Sequence, residues 1–421
     1  MNCRSCHAAD PTEVLDLGNQ YLSDFREDAS RPPQWPLTLM LCRSCGLLQL
    51  RDTTPRELMY HDRYGFRSGV NEAIRADLRS LVEHALAARP DARRWLDIAC
   101  NDGTLLSFVP KEIHRVGVDP VATFEPESRR HADRIVVDFF DPRWFTGDGP
   151  GDGPGDGPGD GPGEGPGHDP DGGPFDVVTC SSMFYDLDDP NGFVAGVSQV
   201  LAPDGVWAIQ QNYALTMLEL GAVDNVCHEH ITYWSLAALE HLLDRHGLEV
   251  NDVLLTDVNG GSFRTLVSRR GTRPVEPSVA VQREREARAR LDDPETWRRF
   301  AERVRTAFDD LHRLIDEINA SGQRCYLYGA STRGGTILQG AGLTVRDLPF
   351  AVERQAAKIG RTIASVGVPI ISEERARADR PEYMLVAPWF FREVFIERER
   401  EYLRGGGKLI FPLPDLEIVS G

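Results

Sequence analysis

The sequence has no apolar run of about 18 residues, the length needed to cross a membrane. Its N-terminus, MNCRSCHAAD, lacks the apolar core of a signal peptide. Basic residues are fewer than acidic ones: the sequence has 47 Lys and Arg and 65 Asp and Glu, which gives a net charge of −18. Nucleic acids and anionic membrane surfaces require a basic face, so neither partner is expected. We therefore expect a cytoplasmic protein.

Part of the acidity comes from one segment without any basic residue. Residues 147–174 contain only Gly, Pro, Asp, Glu and one His, with GDGP repeats. Seven of the 65 acids lie there, so the remaining 58 exceed the 47 bases by 11. The repeat of four residues excludes a collagen triplet, and the absence of apolar residues predicts a solvated, disordered insert.

Two Cys-x-x-Cys pairs lie near the N-terminus, Cys3 with Cys6 and Cys42 with Cys45. Each pair makes a tight turn that directs both thiolates to one point, and two such turns complete a tetrahedral zinc site. Disulfides are typical of secreted proteins, and nothing in this sequence indicates secretion. Because four thiolates leave no open coordination position, we predict a structural zinc rather than a catalytic one.

A chain of 421 residues is too long for one ordinary domain. After the cysteine module, short apolar strands alternate with helices and end in an antiparallel hairpin, LEVNDVLLTDV and SFRTLVSRR, joined by NGG. This order predicts an α/β fold with a doubly wound parallel sheet. A long amphipathic helix then precedes RCYLYGASTRGG, which starts a second, smaller α/β unit. We predict domains at 1–62, 63–277 and 278–421.

The turn after the first strand of the central unit is DIACNDG, residues 97–103. A doubly wound sheet binds its ligand at the carboxyl ends of its strands, where a helix start offers free N–H groups. The turn lacks the GxGxxG fingerprint of dinucleotide sites, and its acidic residues disfavour pyrophosphate. Asp119, after the second strand, is placed to accept hydrogen bonds from ribose hydroxyls. These features favour the cationic ligand S-adenosylmethionine, the alternative being a plain tight turn.

The sequence resembles the sugar C-methyltransferases that act on nucleotide-linked keto-deoxysugars in antibiotic biosynthesis. The resemblance rests on both cysteine pairs, DIACNDGTLL, CHEHITYWSL, NGGSFR and YGASTRGG, and it covers the chain apart from the acidic insert. It implies a four-cysteine zinc module, a class I methyltransferase domain and a C-terminal Rossmann-like domain. The implied reaction moves a methyl group from S-adenosylmethionine to C3 or C5 of the sugar, beside a 4-ketone.

The resemblance also implies roles for individual residues. The residues implied for cofactor binding are Asp97, Ala99, Asn101, Asp102, Gly103, Asp119 and Phe139, the last near the adenine. The family usually has Gly in place of Ala99, and often Tyr in place of Cys227. Asp186 falls where some members have an active-site His.

In CHEHITYWSL, the resemblance makes Glu229 and His230 the active-site pair, with His230 as the proposed base. Methylating carbon requires an enolate, and a His of near-neutral pKa oriented by a carboxylate is suited to forming it. His228 would point the same way as His230 if the segment is extended. The alternatives are histidines that only bond loop backbone, or a metal site, although HEH lacks the HExxH spacing.

Further candidates concern the substrate. The resemblance places Asn259, Gly261 and Ser262 near it, although a plain hairpin turn explains the same residues. Tyr64 leads into the first helix, where it either covers the ligands or packs in the core. The start of the helix in YGASTRGG suits the pyrophosphate of a nucleotide, unless this is a vestigial Rossmann turn. The residues concerned are Gly329, Ser331, Thr332 and Arg333.

Three alternatives remain open at this point. An O- or N-methyltransferase would demand less of His230. An NAD(P)-dependent oxidoreductase would use YGASTRGG, with Glu353 at the ribose. A zinc-ribbon adaptor would use both sheets only as a scaffold. The sequence leaves the oligomeric state open, and we expect a monomer or weak dimer.

Overall fold

The computed structural model describes residues 1–28, 30–55, 58–59, 67–146 and 173–421. The predicted disordered insert therefore lies almost entirely outside the described residues, as does Tyr64. Within the described ranges, no helix combines the length and apolar character needed to cross a membrane.

The secondary structure of the described residues alternates between strands and helices. In chain order, the strands are β1 (Thr12–Tyr21), β2 (Phe25–Arg26), β3 (Gln34–Leu41), β4 (Leu48–Leu50), β5 (Arg94–Ile98), β6 (His114–Val118), β7 (Arg134–Val136), β8 (Phe175–Ser181), β9 (Leu201–Asn212), β10 (Thr232–Tyr233), β11 (Leu248–Thr256), β12 (Ser262–Arg269), β13 (Cys325–Tyr328), β14 (Ala351–Glu353), β15 (Thr362–Ile363), β16 (Val368–Ser372), β17 (Tyr383–Val386), β18 (Lys408–Phe411) and β19 (Glu417–Ser420). The helices are α1 (Glu72–Ala88), α2 (Glu125–Ser128), α3 (Arg143–Thr146), α4 (Pro190–Val200), α5 (Ala214–Leu220), α6 (Leu236–Asp244), α7 (Pro277–Ala289), α8 (Pro294–Ala320), α9 (Thr332–Gly340), α10 (Glu373–Asp379), α11 (Arg392–Arg398) and α12 (Arg400–Arg404).

The first sheet has the order β1-β3-β4-β10 and is antiparallel. Its first three strands come from the cysteine module, with buried Leu37, Leu39 and Leu41 alternating along β3. The fourth strand is contributed by a segment nearly two hundred residues further along the chain. The module is therefore built into the central part of the molecule by main-chain hydrogen bonds.

The central sheet has the order β11-β12-β9-β8-β5-β6-β7. Strands β5 to β9 run parallel, so their carboxyl ends lie at one edge, and the hairpin β11–β12 is antiparallel. This arrangement confirms the predicted doubly wound sheet closed by a hairpin. The edge strand β7 ends at Val136.

The two faces of this sheet bury different cores. On one face, α1 places Leu78, Leu81 and Val82 against Trp95 of β5, following the helical spacing seen in the sequence. The opposite face joins a larger core that continues into the first and third sheets. The three sheets therefore share one apolar interior.

The third sheet has the order β19-β18-β17-β13-β14-β16-β15-β2. Its centre is parallel, which confirms the predicted second α/β unit. The long helix α8 lines the shared core with Trp297, Phe300 and Val304 and contacts both β1 and β13. The edge strand β2 comes from the cysteine module and pairs with β15.

Candidate active site and metal centre

The two cysteine pairs meet at one point. Each pair forms a turn, one before β1 and one after β3, closed by hydrogen bonds from the N–H of His7 to the carbonyl of Cys3 and from that of Gly46 to Cys42. The two residues that donate these hydrogen bonds have a left-handed backbone conformation, with φ of 62° at His7 and 73° at Gly46. This local backbone geometry turns the side chains of each pair toward the other pair.

The four sulfurs are spaced as a metal site requires. The Sγ atoms of Cys3 and Cys45 lie 3.6 Å apart, those of Cys6 and Cys42 lie 3.5 Å apart, and all four lie within 4.8 Å of one another. A tetrahedral zinc with Zn–S bonds of about 2.3 Å separates its sulfurs by about 3.8 Å. The donors therefore fit a four-thiolate structural zinc, and no other cluster of potential ligands occurs within the described residues.

The strand that follows the second cysteine pair leads directly to the HEH segment. In β4, Leu48 and Gln49 pair with Tyr233 and Thr232 of β10, and the N–H of Leu50 donates to the carbonyl of Ile231 at 2.9 Å. The position of residues 231–233 is thus set by the metal-binding module.

The turn after β5 has the strained backbone of a ligand-binding loop. Ala99, Asn101 and Gly103 have φ of 60°, 50° and 77°. A Cβ atom on Gly103 would lie 2.7 Å from the Cα of Ser128, so only glycine fits there. Two non-glycine residues held in the left-handed region indicate a loop that the surrounding structure fixes.

The carboxylate of Asp119 lies beside this turn, just after β6. Its two oxygens accept hydrogen bonds of 2.9 Å from the N–H groups of Asn101 and Val121. Because each oxygen has a second lone pair, the fixed carboxylate retains acceptor capacity. The geometry therefore suits the predicted contact with vicinal ribose hydroxyls.

Two further acids surround the turn. Burial raises the pKa of Asp97 to about 7, although the hydroxyl of Thr179 donates to its carboxylate at 2.7 Å. Asp102 accepts the N–H of Gly69 at 2.9 Å, while Asn101 accepts that of Ser68 at 3.1 Å. Buried acidic side chains around this tight turn suit a ligand that carries positive charge, as the sulfonium of S-adenosylmethionine does.

Phe139 lies three residues beyond the end of β7, and half of its surface is exposed. The strand before Phe139, β7, lies at the edge of the sheet and is separated from β5 by β6.

The HEH segment is bent rather than extended, and its two histidines make different contacts. His228 Nε2 lies 3.0 Å from the carbonyl of Trp35 in β3. His230 Nδ1 lies 3.0 Å from the carbonyl of Asn225. Residues 227–229 form a bend. The segment therefore does not have the extended conformation that would point both rings the same way.

The contact with Asn225 assigns the tautomer of His230. A carbonyl oxygen only accepts, so Nδ1 carries the hydrogen and Nε2 keeps its lone pair. Burial, followed by the charge of Arg333, lowers the pKa of His230 to about 3, so the ring is neutral. Its centroid lies 4.3 Å from that of Tyr185.

His230 lies at the same edge of the sheet as the turn after β5. The side chain of Asn212, the last residue of β9, donates to Asn225 Oδ1 at 2.8 Å. The N–H of Ile231 donates to the carbonyl of Tyr185, just after β8. Since β5, β6, β8 and β9 run parallel, the residues at their carboxyl ends share one edge.

Glu229 does not orient His230 in this structure, because the Asn225 carbonyl occupies Nδ1. Its half-buried side chain faces a cleft instead, together with Cys227 and His228. Burial raises the pKa of Glu229 to about 7.

The guanidinium of Arg333, predicted to face pyrophosphate, is held inside the protein. Its Nη2 lies 2.6 Å from Oδ2 of Asp224, and its Nη1 donates to the carbonyl of Asn259. The ring of Phe390 stacks against the group at 4.6 Å. Arg333 therefore ties the start of α9 to the methyltransferase part of the chain.

The other predicted substrate residues define two tight turns. In the hairpin, Asn259 has φ of 56°, and a Cβ on Gly261 would lie 2.1 Å from Thr216 Cγ2. The Ser262 hydroxyl donates to the carbonyl of Val258 at 2.9 Å. Asp186 ends a single helical turn after β8.

At α9, a Cβ on Gly329 would lie 2.7 Å from Pro388 Cδ, so this position also requires glycine. Ser331 is the N-cap, accepting the N–H of Gly334 at 3.1 Å, and Thr332 faces the cleft.

Three residues of the site were not identified from the sequence. Asn225 holds His230 through its main chain, which leaves no side-chain signal. Asp224 pairs with a residue 109 positions away, a distance that no local pattern reports. Tyr185 directly precedes Asp186, a predicted substrate residue, in SSMFYDL, and this adjacency could have pointed to it.

The metal assignment predicts a specific loss on mutation. Cys42→Ser removes one thiolate, so we expect the purified protein to lose its single bound zinc and to melt at a lower temperature. Cys325→Ala, which changes a buried cysteine outside the cluster, should keep one zinc per chain. Full zinc content in Cys42→Ser, measured by atomic emission, would contradict the assignment.

The Asp224–Arg333 pair predicts an asymmetric stability effect. Asp224→Asn leaves a buried guanidinium uncompensated and should lower the free energy of unfolding by about 3–5 kcal/mol. The double variant Asp224→Leu with Arg333→Met should recover most of this loss. As a control, Glu240→Gln breaks the more exposed pair with Arg283 and should cost less than about 1 kcal/mol. Urea denaturation of the wild type and the three variants gives their free energies of unfolding. Equal losses of stability in Asp224→Asn and Glu240→Gln would contradict the prediction.

Comparison with known proteins places this geometry in context. Residues 3–60 match a family described as "Putative zinc binding domain", residues 70–253 a "Methyltransferase domain", and residues 257–414 a "C-methyltransferase C-terminal domain". The C-methyltransferase NovU of Streptomyces niveus is 27% identical over 429 residues, covering 99% of this chain and 96% of NovU.

Two solved structures share low similarity with the chain. Magnesium protoporphyrin IX methyltransferase from Synechocystis is 12% identical, covers 49% of this chain and 87% of its own, and has a TM-score of 0.33. The N-methyltransferase NodS from Bradyrhizobium japonicum is 11% identical, covers 48% and 98%, and has a TM-score of 0.33.

The three family matches follow the predicted order of modules along the chain, and NovU aligns with nearly all of it. The chain therefore belongs to the S-adenosylmethionine-dependent C-methyltransferases that carry an N-terminal zinc-binding module.

Proposed function

We propose that this enzyme methylates a carbon next to the ketone of a nucleotide-linked keto-deoxysugar, at C3 or C5, in the cytoplasm. The observation that carries the proposal is the neutral His230, whose Nε2 lone pair is free of the Asn225 contact. It lies at the edge of the sheet that holds the cofactor turn. The similarity to a C-methyltransferase over nearly the full chain supports methyl transfer to carbon.

The chemistry needs a base at the sugar carbon. When bound, S-adenosylmethionine supplies an electrophilic methyl group. His230 Nε2 takes the proton from the carbon next to the ketone, and the electron pair of the broken C–H bond forms the enolate. That pair then makes the new bond to the methyl carbon as the bond from this carbon to sulfur breaks, with its electron pair left on the departing S-adenosylhomocysteine. The proton remains on the imidazole. The Asn225 carbonyl, which accepts from Nδ1, stabilises the resulting imidazolium.

Glu229 is the second titrating group at this place. In the unliganded protein its pKa of about 7 is better matched to proton abstraction than that of His230, which is about 3. We propose that Glu229 acts as a carboxylate that favours the imidazolium form. His228, bound to the Trp35 carbonyl, then has a positioning role.

The remaining assignments are also proposals. The cofactor residues are Asp97, Ala99, Asn101, Asp102, Gly103, Asp119 and Phe139. The substrate residues are Tyr64, Asp186, Asn259, Gly261, Ser262, Gly329, Ser331, Thr332 and Arg333. Of these, Arg333 is already paired with Asp224, so it offers less charge to a phosphate than the sequence indicated. We propose the division 1–62, 63–277 and 278–421 as the functional domains.

Membership in the C-methyltransferases leaves the oxidoreductase and scaffold alternatives without support. At the end of β14, Glu353 accepts the N–H of Ala330 at 3.2 Å, and Lys358 donates to the Ala330 carbonyl at 2.8 Å. Glu353, the acid that an oxidoreductase would use at the ribose, thus contacts the main chain of the turn before α9. Transfer to oxygen or nitrogen remains the alternative chemistry, and it needs no enolate.

Hydrogen exchange tests the base and the carbon together. With dTDP-4-keto-6-deoxyglucose and S-adenosylhomocysteine in D₂O, the wild-type enzyme should introduce deuterium at C3 or C5, detected by proton NMR. His230→Asn should slow this exchange by about 10²–10⁴-fold. His241→Asn, which changes an exposed histidine on α6, should leave it unchanged.

The outcomes separate the alternatives. Exchange retained in His230→Asn but lost in Glu229→Gln makes Glu229 the base. No exchange by the wild type at either carbon, with normal binding of S-adenosylmethionine, would reject the sugar ketone as substrate.

The pH profile of kcat/KM tests the two pKa values. His230, with a pKa lowered to about 3, stays neutral across the usual range and should produce no limb near 6.5. Glu229, with a pKa raised to about 7, is protonated below that value, so the rate should fall as the pH drops below 7. Glu229→Gln should be slower and lack this limb, and a limb that persists in the variant would contradict the assignment.

A further inference from the structure

The segment that orients His230 is a buried turn of three residues, Val223–Asn225. Local hydrogen bonds close it, from the N–H of Asn225 to the carbonyl of Ala222 at 3.1 Å and from the N–H of Val226 to the carbonyl of Val223 at 2.8 Å. Such a short turn has poorer hydrogen-bond geometry than an α-helix. Contacts from outside the turn therefore help to fix the direction of the Asn225 carbonyl, which lies 3.0 Å from His230 Nδ1.

Helix α9, in the second α/β unit, holds the residues on both sides of Asn225. Arg333 Nη2 lies 2.6 Å from Oδ2 of Asp224, and the hydroxyl of Thr336 donates to the carbonyl of Val226 at 2.8 Å. Residues three positions apart lie on one face of a helix, so one face of α9 makes both contacts. The peptide that carries the Asn225 carbonyl lies directly between them.

Thr336 has a side chain whose polar group is explained by this contact. It is buried in the interior of α9, where a threonine hydroxyl often donates to the carbonyl four residues earlier in its own helix. Here the hydroxyl donates to a different segment. Because a polar group taken out of water has a cost unless it is hydrogen-bonded, packing alone does not favour a hydroxyl at this position. The contact with Val226 accounts for it.

Arg333 is less suited to a test of this arrangement, because its guanidinium has more than one role. It is paired with Asp224, and it also donates to the carbonyl of Asn259 in the hairpin turn. Its substitution would therefore disturb the hairpin as well as the turn that orients His230. Thr336 can be changed at its hydroxyl alone.

We propose that Thr336 is a positioning residue for the base: by holding the carbonyl of Val226, it fixes the direction of the Asn225 carbonyl that orients His230. The proposal rests on the proposed function, in which His230 takes the proton. Helix α9 of the C-terminal unit then acts on the proton-transfer step itself, through the main chain of residues 225–226.

The expected effect follows from the two nitrogens of the His230 ring. Without the Thr336 hydroxyl, the peptide between Asn225 and Val226 is held less firmly, so Nδ1 has its acceptor for a smaller part of the time. The ring can then carry its hydrogen on Nε2, where no lone pair is left to take a proton. The turn after β5 lies outside these contacts. The loss should therefore appear in the rate and not in the affinity for S-adenosylmethionine.

Nitrogen NMR of the histidine rings tests the positioning directly. In the full-length, zinc-containing protein with isotope-labelled histidine, the His230 signals are those that disappear in His230→Asn. We expect a hydrogen on Nδ1 alone in the wild type, and a mixture of both tautomers in Thr336→Val. Thr336→Ser keeps the hydroxyl and should retain the wild-type signals. Thr344→Val makes the same change beyond α9, where the hydroxyl lies 3.0 Å from Asp347, and should also leave them unchanged.

Reaction rates give a second readout. Thr336→Val should lower both kcat and the exchange of deuterium into dTDP-4-keto-6-deoxyglucose by about tenfold, as expected for the loss of one hydrogen bond. Its affinity for S-adenosylmethionine, measured by calorimetry, should be that of the wild type, and Thr336→Ser should retain most of the rate. If Thr336→Val does not fold, the comparison of Thr336→Ala with Thr336→Ser isolates the hydroxyl in the same way.

The outcomes distinguish the positioning role from the base assignment. Unchanged His230 signals in Thr336→Val, or equal losses of rate in Thr336→Val and Thr336→Ser, would overturn the role of Thr336. Mixed tautomers in Thr336→Val together with undiminished deuterium exchange in His230→Asn would instead overturn His230 as the base, and with it the proposed function on which the role depends.

Discussion

The pairing of β4 with β10 is the constraint on which the site depends. β4 begins three residues after the last cysteine of the metal cluster, and β10 begins two residues after His230. Bringing four thiols within 4.8 Å of one another sets the turn at residues 42–46, and this turn sets the direction of β4. The metal module thereby helps to determine where the HEH segment lies. The predicted zinc is structural, yet its module is connected to the proposed base through a few main-chain hydrogen bonds.

Buried acids are the second organising feature of the sheet edge. Asp97, Asp224 and Glu229 all have raised pKa values, with burial as the main cause in each case. Asp224 already has a cation beside it in Arg333, whereas no basic group is described against Asp97 or Glu229 among their principal interactions. The protein therefore holds acidic groups in a poorly solvated place, where positive charge brought by ligands or formed during proton transfer is stabilised.

Local patterns revealed much of the fold, because they arise from neighbouring residues. The alternation of short apolar strands with helices predicted the parallel central sheet, the two runs joined by NGG predicted the hairpin β11–β12, and the two cysteine pairs predicted the metal cluster. Two of the contacts that complete the site join residues far apart in sequence. The pairing of Asp224 with Arg333 and the bond from His228 to Trp35 depend on how the sheets meet. The Asn225 carbonyl lies only five residues from His230, but it belongs to the main chain, so no side-chain type signals it. The bend at 227–229 accompanies those contacts, so the extended segment that would have pointed both histidines the same way is not formed.

The strand β2 shows how the two ends of the chain depend on each other. Phe25 and Arg26 complete an edge of the third sheet by pairing with Thr362 and Ile363, more than three hundred residues later. On the ribosome, the first sixty residues emerge with their metal ligands but without β10 or β15, two of the strands that their own strands require. The strands of the zinc module thus reach their final pairing only after β15, in the last quarter of the chain, has been synthesised.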